Sequence, residues 1–411
     1  MVVIQCLDIQ FRYTLCSMTA RVNPYSPGVG SSPPVLAGRG RQLSQITYLT
    51  DQLEARAGAE NIVWSGLRGM GKTVLLHEAL DRLRDRGWLA GYSEVRKNAG
   101  IGSSVASILL QGQAVLGRGK LAKALGWLRE MAHATTVTAG TGDFSVQLGL
   151  VPAKGTQLPE DALDSLFIRL GEAAADAGVG AMFLLDELQL MDTHDLSALL
   201  HAANAAEGLP VGFVATGLPD LPGLVAAAGS YAERLFYDRV DRLSRLDVTI
   251  AIEEPASVFD VGYQPEAIDA LVDLVEGYPY FAQLYAMETW RSAGTPSDRP
   301  GTIITLADVE DAIEPTRDRL EEGLYRIRYD KASEREQGYL GAMAVLGDRR
   351  IPSGDVARQL GSTPQAASTF RDRLMGKGII YSPAHNVLEF SVPGFAAYVR
   401  RRQGTDGVTT S

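Results

Sequence analysis

The chain has 411 residues, 45% of them hydrophobic, which is enough for two or three domains with apolar cores. Its net charge of −10 argues against a general nucleic-acid binder, although it does not exclude a local basic surface. The two cysteines, Cys6 and Cys16, both precede residue 17, so the body of the chain has neither a disulfide framework nor a thiolate metal site.

The amino-terminal segment differs from the remainder of the chain. Residues 1–17 lack a basic start and are interrupted by Asp8 and Arg12, so they are too short and too polar for a signal peptide or a spanning helix, and we expect a cytoplasmic protein. We expect 1–17 to be a non-native or disordered extension, with translation starting at Met18. Residues 18–40 form a lead-in in which prolines and glycines prevent a helix.

A phosphate-binding loop is predicted between a strand at 62–65 and a helix from Val74, after a helix at 41–57. The loop is Gly66-Leu67-Arg68-Gly69-Met70-Gly71-Lys72-Thr73, which is the P-loop pattern in its expected setting. We expect its three glycines to adopt positive φ, so that backbone N–H groups point at a phosphate. Lys72 would bind the β- and γ-phosphates, and the Thr73 hydroxyl would ligate Mg²⁺. The predicted nucleotide contacts here are Gly66, Arg68, Gly69, Met70, Gly71, Lys72, Thr73 and Val74.

The stretch from about 95 to 160 is longer than a minimal connection within an α/β sheet and is interpreted as an insertion. It holds helical patterns between 99 and 134 and an alternating segment at 144–150 that predicts a strand. A further helix is expected at 162–177. The function of the insertion is not evident from these patterns.

A buried strand is predicted at 181–185, and it ends in Asp186 and Glu187. Carboxylates at the carboxyl end of a parallel strand lie at the ligand edge of the sheet, so we assign Asp186 to Mg²⁺ and Glu187 to the attacking water as general base. The alternative is that both acids cap the following helix. A third strand, at 211–216, ends in Thr216, which is either a sensor of the γ-phosphate or the cap of a turn.

The carboxyl-terminal region, 331–402, predicts a winged helix-turn-helix. Three helices at 334–346, 353–360 and 363–377 precede two alternating strands, and residues 331–411 hold 11 basic and 7 acidic side chains. The last of the three would be the recognition helix, and 403–411 a disordered tail. Candidate DNA contacts are Gln365, Ser368, Thr369 and Arg371 in the groove, with Arg373, Lys377 and the run Arg400 to Arg402 on phosphates. Protein docking is the alternative.

Taken together, these motifs resemble AAA+ ATPases of the origin-recognition and initiator-like group, and the neighbouring signalling ATPases with a Gly-x-Pro lid motif. The resemblance rests on the lead-in, Gly38-Arg39 before a helix, the P-loop, Asp186-Glu187 and Gly277-Tyr278-Pro279, and it covers roughly residues 20–400. It implies an α/β fold, a P-loop parallel sheet of AAA+ type at 41–250, followed by a helical lid at 251–330 and the winged helix.

The resemblance also implies roles for residues outside the P-loop. Val35, Leu36, Gly38 and Arg39 would lie against adenine, and Pro279 would offer a flat surface to the base, whereas Tyr278, Tyr280 and Phe281 fit core packing better. Arg234 would approach a γ-phosphate, in trans on a neighbouring subunit. A surface role for Arg234 is the alternative, and its competitors are Arg239, Arg242 and Arg245.

Two functions remain open. The first is a Mg²⁺-dependent ATPase that acts as a nucleotide-controlled switch, with double-stranded DNA, a protein partner or self-association as its output and no membrane involvement. The second is a slow or non-hydrolysing regulatory or scaffold protein that binds ATP or ADP. The Asp186-Glu187 pair favours the first, and the lack of a recognisable sensor arginine in the lid favours the second.

Overall fold

A computed structural model describes residues 22–28, 32–97, 100–111 and 160–405. These residues form two compact units. The α/β unit comprises Arg39–Gly66 and Gly71–Asp241, and the helical unit comprises Leu67–Met70 with the described parts of Met1–Gly38 and Arg242–Ser411. The extension predicted at 1–17, the strand predicted at 144–150 and most of the insertion and the tail lie outside the described residues.

The α/β unit alternates helices and strands along the chain. Its elements are α1 (Gly40–Glu54), β1 (Ile62–Ser65), α2 (Lys72–Asp85), β2 (Leu89–Glu94), α3 (Ile101–Gln111), α4 (Glu160–Ala177), β3 (Ala181–Asp186), α5 (Thr193–Ala205), β4 (Val211–Gly217), α6 (Leu221–Ala228) and β5 (Phe236–Arg239). The strands form one five-stranded parallel sheet in the order β2-β3-β4-β1-β5. This confirms the predicted α/β fold with a P-loop parallel sheet.

The central strands of this sheet are buried along their whole length. Every residue of β1, β3 and β4 is buried, as expected for strands that helices cover on both faces. On one face Phe167 of α4 stacks on Phe183 of β3, with ring centroids 4.8 Å apart. Because all the strands run in parallel, their carboxyl ends at Ser65, Asp186 and Gly217 lie at the same edge of the sheet.

The helical unit begins with α7 (Arg245–Ser257). It continues through β6 (Gly262–Tyr263), α8 (Pro265–Val275), α9 (Pro279–Ser292), β7 (Ile303–Ile304), α10 (Leu306–Arg319), a π-helical turn (Leu320–Tyr325) and α11 (Arg326–Asp330). The described lead-in has no helix, and it is bound to this unit by side chains: Trp290 Nε1 donates to the Val22 carbonyl at 3.1 Å, and the Tyr25 hydroxyl donates to the Ile252 carbonyl at 2.6 Å.

The end of the helical unit carries a small antiparallel sheet. Its elements are α12 (Glu334–Leu346), β8 (Ile351–Pro352), α13 (Ser353–Gln359), α14 (Pro364–Gly376), β9 (Ile380–Ala384), β10 (Val387–Phe390) and α15 (Phe395–Gln403), and the strand order is β8-β10-β9. This is the order of helices and strands predicted for the region. The run Arg400 to Arg402 belongs to α15. None of the described helices combines the length and the hydropathy that a membrane crossing requires.

Candidate functional site

The P-loop connects β1 to α2 at the carboxyl edge of the sheet. Gly69 and Gly71 have φ values of +82° and +83°, as predicted, and Gly71 is the residue immediately before α2. The prediction of a positive φ was wrong for Gly66. A Cβ atom on Gly66 would lie 2.5 Å from the Val240 carbonyl oxygen, so glycine is required there for close approach of two backbones.

The Lys72 side chain is folded back over the loop that precedes it. Its Nζ atom donates to the Gly66 carbonyl at 2.9 Å, and the residue is 6% exposed. The first turn of α2, whose N–H groups have no partners within the helix, begins at this same residue. The ammonium and the start of the helix therefore both favour an anion within the loop. Of the other predicted contacts, Met70 is buried, and Arg68 and Val74 are half-buried.

The Asp186 carboxylate, 2% exposed, accepts hydroxyl groups from three elements. Thr73 Oγ1 at the start of α2 donates to Oδ2 at 2.5 Å, and the Thr216 hydroxyl at the tip of β4 donates to Oδ1. Thr216 is thus engaged with Asp186, whereas the cap alternative would direct its hydroxyl to a turn. Carboxylate and hydroxyl oxygens are the ligand type that Mg²⁺ prefers, so Thr73 and Asp186 fit the predicted metal site.

The third hydroxyl comes from Tyr92 near the end of β2, and the sequence analysis did not identify it. It donates to Asp186 Oδ2 at 3.2 Å, and the His77 ring meets the Tyr92 ring edge-on at a centroid distance of 4.6 Å. Burial raises the pKa of the Tyr92 phenol, and the negative charge of Asp186 raises it further, so the phenol remains a donor at neutral pH. The only signal in the sequence was the position of Tyr92 near a strand end.

Glu187 directly follows β3 and lies at the same edge. It has a left-handed backbone, with φ of +55°, and its side chain accepts a hydrogen bond from Gln189 Nε2. The helix-cap alternative is wrong. Asp192 caps α5 by accepting the Asp195 N–H at 2.8 Å, and Glu187 forms no side-chain cap for the short turn after it.

Arg234 lies at the opposite edge of the sheet. It ends the short helical turn Ser230–Arg234 just before β5, and Phe236 at the start of β5 pairs with Ile62 at the start of β1. The four residues of β1 therefore separate it from the P-loop by about 13 Å along the strand. Its guanidinium contacts Asn204 Oδ1 at 2.5 Å and Glu207 at 3.6 Å. The competitors Arg239, Arg242 and Arg245 each pair with a nearby carboxylate.

The residues that the resemblance assigned to adenine are placed as follows. Arg39 is buried in the α/β unit, where it donates to the Asp241 carbonyl at 3.0 Å. In the helical unit Val35 is buried, and Leu36 is half-buried. Pro279 opens α9, and the preceding Tyr278 is 1% exposed and donates to the Arg68 carbonyl. The burial of Tyr278 and Phe281 agrees with the core packing expected for them.

The candidate DNA contacts differ in their exposure. Gln365, Thr369 and Arg373 are exposed on α14, whereas Ser368 donates to the Gln365 carbonyl and Arg371 pairs with Asp372 at 2.9 Å. Lys377 forms a 2.6 Å ion pair with the buried Glu336 carboxylate and donates to the Lys331 carbonyl. This use of Lys377 within the unit departs from its predicted role as a phosphate contact, because its charge is already paired.

Comparisons with known proteins agree with this geometry. Residues 35–214 match the model of the AAA ATPase domain, and residues 322–399 match a domain of unknown function, DUF8462. Among curated proteins, no sequence matches this chain.

Solved structures share the fold at low sequence identity. The Walker-type ATPase PABY2304 of Pyrococcus abyssi is 14% identical with a TM-score of 0.55, over 89% of this chain and 96% of that one. The Orc1 protein of Aeropyrum pernix in complex with DNA is 14% identical with a TM-score of 0.42, over 90% and 94%. The RuvB Holliday junction branch migration motor of Thermotoga maritima is 15% identical with a TM-score of 0.43, over 90% and 98%.

The first prediction concerns Lys72. Replacing it by alanine removes a charge-assisted contact to the phosphates that is worth up to about 3 kcal/mol, so ATP affinity should fall by about a hundredfold or more. Isothermal titration calorimetry with Mg²⁺ and ATP measures the change. Lys97→Ala, at an exposed lysine of the same unit, is the control and should bind as the wild type does. Unchanged affinity of the Lys72 variant would overturn the assignment of the phosphate site.

Proposed function

Because residues 35–214 form an AAA ATPase domain, we propose that the chain binds ATP with Mg²⁺, hydrolyses it, and uses the nucleotide state as a switch. The observation that carries this proposal is the meeting of Lys72, Thr73, Asp186 and Glu187 at one edge of a parallel sheet. A protein that only bound nucleotide would need the cradle but would have no need of Glu187.

In the proposed reaction the residues have separate tasks. The loop N–H groups and Lys72 hold the β- and γ-phosphates, and Thr73 with Asp186 would hold Mg²⁺, which supplies charge neutralisation when it is bound. Glu187 accepts a proton from a water molecule as the water oxygen forms a bond to the γ-phosphorus. The bond between the γ-phosphorus and the bridging oxygen breaks, and ADP and phosphate leave.

The second prediction tests the general base. Glu187→Gln keeps the size of the side chain but cannot accept the proton, so the single-turnover hydrolysis rate should fall by about a hundredfold or more with ATP affinity retained. Glu60→Gln, at an exposed glutamate of the same unit, is the control. If the wild type and Glu187→Gln are equally inert, with and without DNA, the chain is a nucleotide-binding regulator or scaffold and the proposed hydrolysis is wrong.

Arg234 is proposed to act on the nucleotide of a neighbouring subunit. Its place before β5, at the edge opposite the P-loop, and its 64% exposed side chain support action in trans. A guanidinium in that role stabilises the charge on the transferring phosphoryl oxygens. Self-association is then part of the enzyme's mechanism.

The third prediction separates action in trans from action within one chain. Arg234→Ala and Lys72→Ala should each be nearly inactive alone. Mixing them should restore hydrolysis by at least about tenfold, because the Lys72 variant supplies the arginine to the Arg234 variant's bound ATP. Mixing Arg234→Ala with the double variant Lys72→Ala/Arg234→Ala is the control and should restore nothing. A mixture no more active than the sum of its parts would contradict the assignment.

The output of the switch is proposed to be duplex DNA, bound by the winged-helix region. The exposed face of α14 offers Gln365, Thr369 and Arg373, and residues 331–411 carry a net charge of +4. Polar and basic side chains on the last helix of such a module are suited to base edges and phosphates. Protein docking through the same face is the second outcome that the experiment distinguishes.

The fourth prediction is that a short fluorescein-labelled duplex binds with an affinity that falls as salt rises. Arg373→Ala should weaken binding and reduce the slope of log affinity against log salt by about 1. Arg335→Ala, at an exposed arginine of α12, is the matched control and should leave the slope unchanged. Fluorescence anisotropy with and without ATP measures both effects. Absence of binding at low salt, or insensitivity to Arg373→Ala, would favour a protein partner.

A further inference from the structure

We propose that Gln189 is a positioning residue that holds the Glu187 carboxylate and ties it to the backbone after β4. The inference rests on the proposed function, because it concerns the proposed general base. Gln189 lies two residues after Glu187, within the short helical turn Leu188–Leu190. Its side-chain amide has two hydrogen-bond partners, the Leu218 N–H and the Glu187 carboxylate.

The hydrogen bonds fix the orientation of the amide. The Leu218 N–H donates to Gln189 Oε1 at 3.2 Å, and a backbone N–H requires an oxygen acceptor. The other end of the amide is therefore Nε2, a donor, and it donates to the Glu187 carboxylate. The glutamine thus presents an N–H to the carboxylate without adding a charge beside it.

A glycine makes room for this amide. A Cβ atom on Gly217 would lie 2.5 Å from Gln189 Oε1 and 2.6 Å from Leu221 Cδ2. Gly217 ends β4, and its carbonyl accepts the N–H of Gly66 at 3.1 Å, which is the first residue of the P-loop. The amide is therefore anchored on backbone that is itself bonded to the phosphate-binding loop.

The turn that carries Gln189 does not depend on this side chain. Backbone hydrogen bonds from Leu190 to Glu187, at 2.9 Å, and from Met191 to Leu188, at 3.0 Å, already close it. The side-chain amide is then free of a role in forming the turn, and its effect falls on the Glu187 carboxylate. Without it, a half-buried carboxylate on a left-handed backbone would sample other rotamers, and fewer of these would face the water.

The test compares two substitutions that a purely structural role would rank in the opposite order. Gln189→Leu removes both hydrogen bonds. Gln189→Glu keeps an acceptor for the Leu218 N–H but cannot donate to Glu187, and it adds a like charge. If Gln189 positions Glu187, Gln189→Glu should lose at least as much single-turnover rate as Gln189→Leu. If Gln189 only satisfies Leu218, Gln189→Glu should remain near the wild type.

We expect both variants to hydrolyse ATP about ten- to a hundredfold more slowly, with ATP affinity by calorimetry within about twofold of the wild type. In the Glu187→Gln background, Gln189→Leu should cause no further loss, because its effect acts through Glu187. Gln52→Leu, at a half-buried glutamine of α1, is the control and should change neither quantity.

Three results would overturn the inference: an unchanged rate in Gln189→Leu, a near-normal Gln189→Glu beside a slow Gln189→Leu, or a full additional loss in the Glu187→Gln background. Each of these leaves the proposed hydrolysis standing, provided that Glu187→Gln alone is slow. A wild type that does not hydrolyse ATP would instead overturn the proposed function, and the positioning role with it.

Discussion

The buried Asp186 carboxylate is the interaction on which the site depends. A carboxylate that is 2% exposed has lost most of its hydration, and this is tolerable only when hydrogen-bond donors replace water. Three hydroxyl groups do so here, from Thr73, Tyr92 and Thr216, and they belong to three different elements of the unit. The desolvated charge therefore holds the start of α2, the end of β2 and the tip of β4 in register with β3.

Parallel pairing makes this arrangement possible. Residues of β1 and β4 are paired from Ile62 with Val214 to Ser65 with Gly217, so the P-loop and the Thr216 tip leave the sheet at the same level. Close approach then depends on small residues, since a Cβ atom on Gly66 or Gly217 would collide with Val240 or Gln189. Two of the glycines at this edge thus serve packing between segments more than freedom of φ.

What the sequence predicts and what it does not can be separated by the range of the interactions. The strand, loop and helix around Lys72 and the acidic end of β3 are local patterns, so they were predictable with their residues. Tyr92 is 94 positions from Asp186, and Lys377 is 41 positions from Glu336. Neither pairing leaves a periodic signal, so the first was missed and the second led to a predicted phosphate contact that is paired within the unit. Gly66 was assigned the wrong physical reason because its neighbour Val240 is remote in sequence.

The polarity of the sheet also determines what kind of assembly the proposed mechanism requires. All the groups proposed to bind and cleave ATP are at the carboxyl edge, and Arg234 precedes β5 at the amino edge. An arginine that acts in trans then joins two different surfaces of neighbouring subunits. Such a contact is heterologous, and repeated contacts of this kind close into a ring or continue as a filament, whereas a two-fold dimer would pair like surfaces. A mechanism with Arg234 in trans therefore favours an assembly in which each subunit both receives and donates an arginine.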